Sequence, residues 1–158
     1  MARDFDEGIA LIDRALALNP NLAMAWTTGG WARVFFGDAE GGLKHFANAM
    51  RFNPLGPLMF RALAGMAFAH FSASRYEEAY GCAQRSLRER PDYLPGMRIA
   101  VASAALGGRR AEAEAGLAML LSKEPGTRLS YLQDIVPFRR AEDRSRWIEG
   151  LRRAGIPD

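Results

Sequence analysis

The chain has 158 residues, 49% of them hydrophobic, which is the size and apolar content of one domain with a buried core. Its formal net charge of +3, from 21 basic and 18 acidic residues, makes no demand for nucleic acid as a partner. No apolar run reaches the ~18 residues of a membrane span, and the acidic start lacks the basic-then-apolar layout of a signal peptide, so a soluble, cytoplasmic protein is expected. Nearly all the positive charge is arginine, with Lys44 and Lys123 the only lysines, a bias that fits a GC-rich bacterial gene. The lone cysteine, Cys82, cannot form an internal disulfide and has no His or Lys beside it, the setting of a small buried hydrophobe.

The first predicted element is "DFDEGIALIDRALALNP", residues 4–20, and its pattern returns as "GDAEGGLKHFANAMRFNP", residues 37–54. Prolines at 20, 54, 91 and 125 each close such a run, at intervals of 34, 37 and 34 residues. Twelve residues before each proline stand Gly8, Gly42, Ala79 and Ala113; eight before stand Ile12, Phe46, Ala83 and Leu117; five before stand Ala15, Ala49, Ser86 and Leu120. Small residues recurring on one helical face admit a neighbouring helix closely, and the larger residue a turn away fills the gap beside it.

The other helix of each unit begins a few residues past the preceding proline. Trp26, Gly29, Gly30 and Arg33, then Leu63, Met66, Ala67 and His70, then Met97, Ala100, Val101 and Ala104 recur at spacings of three, one and three, which keeps each set on one face. Breakers separate the two helices of a unit at Gly37-Asp38, Ser72-Ala73-Ser74 and Gly107-Gly108. Within "NPLGPLMFRA" the linker is three residues longer than its counterparts, so the turn between those units is expected to be displaced. Residues 126–158 do not repeat: they predict a short helix at 129–135, a break at Pro137, and a helix from 141 to 153 ended by Gly155 and Pro157, with Trp147, Ile148 and Leu151 on one face.

This spacing resembles the tetratricopeptide repeat (TPR), although the tyrosine slot of that repeat holds Arg33, His70 and Ala104. The resemblance implies an all-α, right-handed solenoid of helical hairpins: a half repeat at 3–20, repeats at 23–54, 57–91 and 94–125, and capping helices over 126–158. The phrases "VPFRR" and "GLRRAGIPD" are similar to tails that close TPR regions of bacterial signalling proteins. Those regions follow a class III adenylate or guanylate cyclase domain or a winged-helix domain, and any cyclase activity would lie in a domain outside this chain. The opening helix would expose Phe5, Gly8, Ile12 and Ala15 where a preceding helix normally packs, so residue 1 is expected to be an excision point in a longer polypeptide, and this end to pair with a second copy or a neighbour in a crystal.

Catalysis needs a nucleophile with a base, a metal cluster or a phosphate cradle. His45 and His70 stand apart, no Cys/His/Asp grouping has metal-ligand spacing, and "GDAEGGLK" lacks the frame and the Ser/Thr of a P-loop. Glu77-Glu78 opens a helix, where carboxylates favour the dipole. No enzyme, cofactor or metal site is expected.

By the family's geometry the first helix of each unit lines the concave side. The inward slots hold Met24, Thr27, Thr28, Trp31, Val34 and Phe35, then Arg61, Ala64, Gly65, Phe68 and Phe71, then Arg98, Ile99, Ala102 and Leu106. TPR modules that grip acidic chaperone tails carry Lys and Asn where Thr27 and Trp31 stand, so that activity does not transfer. An apolar helix or extended segment with an acidic residue near Arg61 or Arg98 suits this lining, and so does a domain of the same polypeptide. Two alternatives stay open for the groove: its aromatics are core, or the C-terminal tail fills it. Nucleic-acid binding through the arginines of 85–90 and 139–153 is the alternative function, disfavoured by the interleaved Glu142, Asp143 and Glu149, and a homodimer is a third.

Overall fold

The structure, a computed structural model, describes residues 2–158, with side chains from residue 6 onward; Phe5 therefore lies outside the described side chains. Among the described residues there are nine helices and no strand: α1 (Ala2–Leu18), α2 (Ala23–Phe36), α3 (Ala39–Phe52), α4 (Met59–Ser72), α5 (Tyr76–Glu89), α6 (Leu94–Leu106), α7 (Arg110–Lys123), α8 (Leu129–Ile135) and α9 (Ala141–Ala154). Helices α2 and α3, α4 and α5, and α6 and α7 pack as successive hairpins, and each hairpin packs on the next: an all-α solenoid.

One hydrogen-bond closure repeats at the turn inside each hairpin. The N–H of Asp38 donates to Arg33 O (2.8 Å), that of Arg75 to His70 O (2.9 Å), and that of Arg109 to Ala104 O (2.8 Å). This wrap satisfies carbonyls that the end of a helix leaves free, and it needs one residue in the left-handed region. Gly37 (φ 101°) and Gly108 (φ 76°) supply it without penalty, while Ser74 adopts it at φ 59°. Asp38 then caps α3 by accepting the N–H of Gly41 at 2.8 Å. Before the closing prolines, Asn53, Arg90 and Glu124 have φ near the extended region (−144°, −142° and −135°), as a following proline requires.

The small residues do the spacing work. A Cβ added at Gly30 would stand 2.6 Å from the Phe46 ring, and one at Gly65 would also strike that ring, so the Phe46 side chain, fully buried, wedges α3 between α2 and α4. Ser86 occupies a small-residue slot on α5 and donates its hydroxyl to Phe60 O at 2.7 Å, which meets the demand of a buried polar group. The longer linker, residues 53–58, forms two consecutive turns (Gly56 N to Asn53 O and Met59 N to Gly56 O, both 3.1 Å) with Leu55 96% exposed at the tip. The extra residues bulge outward, and α3 stays packed on α4.

The C-terminal segment turns back over the array. Helix α9 crosses α6 at Gly150, where a Cβ would come within 3.1 Å of both Cβ and O of Ala102. Between α8 and α9, residues 136–140 run past the end of α2: the Arg139 N–H donates to Phe35 O at 2.9 Å and Arg140 reaches Gly37 O at 3.4 Å. Among the described residues no helix is long and apolar enough to cross a membrane.

Candidate functional site: a shortened inner cleft

Trp147 of α9 and Phe138 of the 136–140 segment are buried on the face lined by α2 and α4. Trp147 packs on Phe68 and Phe71 (centroids 5.3 and 6.1 Å), and Phe138 on Phe35 and Phe68 (5.6 and 6.2 Å). The chain's own tail thus takes up one end of the groove that the sequence left either open or filled. What remains is a cleft of about 340 Å³ with an aromatic floor of Trp31, Phe35, Phe68 and Trp147, and walls that include Thr28, Arg61, Tyr93, Arg98 and Pro137.

Six of the nine expected groove residues therefore meet in one place: Thr28, Trp31, Phe35, Arg61, Phe68 and Arg98. Three do not. Phe71 has no exposed surface, because Trp147 and Tyr76 cover it. Thr27 is buried, its hydroxyl turned back to Ala23 O at 3.0 Å, and with the half-exposed Met24 it lines a separate depression of about 210 Å³ between α2, α3 and α4. Of the further inward slots, Val34, Ala64, Ile99 and Ala102 are fully buried, so they are packing residues. Pattern reasoning missed Tyr93, Ile135, Val136 and Pro137 on the cleft. The signal for the last two was the apolar "VPF" set in a helix break, but nothing local said where it would dock.

The polar groups differ in how they are satisfied. Arg98, 7% exposed, donates from Nη2 to Glu124 Oε2 at 2.5 Å, and the buried Thr127 hydroxyl donates to the same oxygen at 2.8 Å. Burial acts to raise the Glu124 carboxyl, but these two hydrogen bonds and the Arg98 charge outweigh it and hold it below the ordinary range. Tyr93 is pushed up by burial, against the charge and hydrogen bond of Arg61.

Elsewhere the titratable groups are structural. Burial, and then Arg33 or Arg75, depress His45 and His70; Arg75 Nε donates to His70 Nδ1 at 3.1 Å. Burial raises the Cys82 thiol, so it is a buried hydrophobe and poorly nucleophilic at neutral pH. Among the described residues no group of three His, Cys, Asp or Glu is placed to hold a metal. Glu77 is held down by its hydrogen bonds from Arg109, one rung of an exposed series that also joins Asp13 to Arg33 and Glu40 to Arg75 across successive helices. These pairs fix register more than they add stability.

The arginines of 139–153 make contacts within the chain. Arg139 lies over the Phe36 ring (4.0 Å), Arg144 and Arg146 donate to Phe138 O (2.8 Å) and Ser72 O (2.9 Å), Arg140 binds Gly37 O, and Arg152 and Arg153 pair with Glu149. Arg139, Arg140, Arg144 and Arg146 dock and brace the tail, while Arg152 and Arg153 pair within α9.

In fold, the chain is an array of TPR-like hairpins. It superposes on the structure of MamA with a TM-score of 0.70 at 18% identity, covering 97% of this chain and 88% of that one. It also matches YrrB, a TPR protein with an unusual peptide-binding site, with a TM-score of 0.64 at 19% identity over 97% of this chain and 77% of that one. PilW, a type IV pilus biogenesis factor, gives 0.58 at 14% identity over 96% and 86%. No family model and no curated protein sequence matches the chain.

Proposed function

We propose that this chain is a non-catalytic protein-interaction module that docks a short segment of a partner protein in the inner cleft. The observation that carries the reading is the aromatic floor left uncovered beside the chain's own tail: Trp31 and Phe35 stay half-buried and Thr28 exposed where the rest of the groove is filled. A cleft of about 340 Å³ is at the small end of ligand sites, suited to one or two side chains of an extended segment and too small for a helix. The peptide-binding site of YrrB, on a similar fold, supports the same reading. A selection of displayed random peptides on the whole chain tests it: binders should be recovered, and they should fail to bind Thr28→Trp, which fills the cleft from an exposed position. Recovery of no binders, or binders indifferent to Thr28→Trp, overturns it.

A second reading rests on α1. A Cβ at Gly8 would meet nothing within 4 Å, whereas its counterpart Gly42 is pressed by Val34, and Leu11 and Leu18 are 61% and 82% exposed. In the array, such a helix face packs on the first helix of its own hairpin, so a second copy of this chain or a neighbouring helix would cover it. A dimer that dissociates on Leu11→Glu with Leu18→Glu supports pairing of copies; a monomer at all concentrations in sedimentation excludes it. The likeness of residues 126–158 to the tails of cyclase-linked and winged-helix-linked arrays supports a bacterial regulatory setting, in which the docked segment belongs to a catalytic or regulatory domain of the same polypeptide.

A further inference from the structure

The cleft has two arginines, and only one of them is free to choose a ligand. Arg98 is already neutralised by Glu124, at 2.5 Å. Arg61, on α4 and half-buried, has no ion pair among the described residues, and the acid nearest to it in the lining, Asp92, pairs with Arg90 at 3.9 Å. The Arg98 Nε, without a hydrogen-bond partner among the described residues, is itself buried and is not offered to the cleft.

Arg61 and Tyr93 also form a wall shared by two depressions. On one side is the inner cleft; on the other is an outer hollow of about 390 Å³ lined by Leu58, Phe60 and Arg90. A segment lying in both must cross this wall and continue on either side of it, so the group that meets Arg61 belongs to the middle of a chain and not to its end. The crossing point is cationic: Arg61 has no ion pair among the described residues, and Arg90 shares only a weak pair with Asp92.

Resting on the docking reading above, we infer that the site selects an extended segment in which an Asp or Glu side chain follows or precedes a large apolar residue. The apolar side chain fills the aromatic-floored cleft, and the carboxylate meets Arg61 beside Tyr93. A charge-assisted pair in a partly dry cleft has the strength and geometry to discriminate, which the apolar floor alone lacks.

The test uses the peptide selection with both ends of each random segment fused, so that no free terminus is offered, and a parallel selection with free C-termini. Internal Asp or Glu beside a large apolar residue should be enriched in the first. Affinity of a selected peptide, read by fluorescence anisotropy, should fall about tenfold or more with Arg61→Gln or with Asn or Gln replacing its acid. Arg61→Lys should recover part of the loss, and selection on Arg61→Glu should turn toward Lys- or Arg-bearing peptides. Thermal melting checks that these half-exposed substitutions leave the fold intact. Peptides without an acid, peptides indifferent to Arg61, or peptides that need a free C-terminus overturn this inference and leave docking standing. Recovery of no peptide overturns both.

Discussion

The two ends of the array are finished in opposite ways. At the C-terminal end, α9 crosses α6 on Gly150, Trp147 and Leu151 are fully buried, and the 136–140 segment is pinned to α2 by a main-chain hydrogen bond. At the N-terminal end, α1 presents Leu11 and Leu18 to solvent, and the slot at Gly8 is empty. The last hairpin is covered by a helix from outside the repeat, while the first helix of the array has a face left open. A repeat supplies adhesive surface on both sides, and what closes that surface must come from outside the repeat pattern.

If the tail is an integral cap, breaking it should be costly. Trp147→Ala should lose about 3–5 kcal/mol in chemical denaturation, because it removes a buried indole that holds Phe68, Phe71 and Phe138 together. A loss below about 1 kcal/mol would mean that the tail is an ornament on a self-sufficient array. Phe138→Ala should cost about 3 kcal/mol, with faster hydrogen exchange at the Arg139 amide while the amides of α5 stay protected.

A matched pair of glycines sharpens the contrast. Gly150→Val should destabilise by about 1–3 kcal/mol, since its side chain runs into Ala102. Gly8→Ala should instead stabilise by about 0.5–1 kcal/mol, because the new Cβ meets nothing and the helix loses a flexible residue. If both changes had the same sign, the open and closed ends would not differ as described. The smallest effect is expected at Leu18→Gln, within about 0.5 kcal/mol for the isolated chain. A larger loss that grows with protein concentration would reveal a covered face.

Acidity should also divide the molecule. His45 and His70 are depressed below the ordinary value of 6.5, so the folded state binds fewer protons than the unfolded one. Their contribution is complete above pH 6.5 and is lost as pH falls below it, which a melting series from pH 8 to 5 should record and His45→Gln with His70→Gln should flatten. Asp143 in the cap works with the opposite sign. Burial raises its carboxyl against the pull of Arg140 and Arg146, so its contribution is present in acid and is lost as pH rises through the raised value.

The sequence by itself determined the array. Prolines at near-even intervals, small residues at fixed offsets before them and left-handed turns at Gly37 and Gly108 are short-range signals, each set by helical periodicity or by backbone sterics. They located the hairpins, the buried Phe46 slot and the small-residue position of Ser86; the inward slots came from the likeness to the repeat family. They failed where the answer depended on distant parts of the chain. Whether Phe71 is open or covered depends on Trp147, 76 positions away, and the width of the cleft depends on how closely Gly150 lets α9 approach Ala102. The pattern "VPFRR" announced an apolar break, but its docking on α2 rests on one main-chain donor, one carbonyl and an aromatic surface assembled from α2, α4 and the tail's own α9. Periodicity records which face of a helix is apolar; only tertiary packing decides which partner covers it and how much is left exposed.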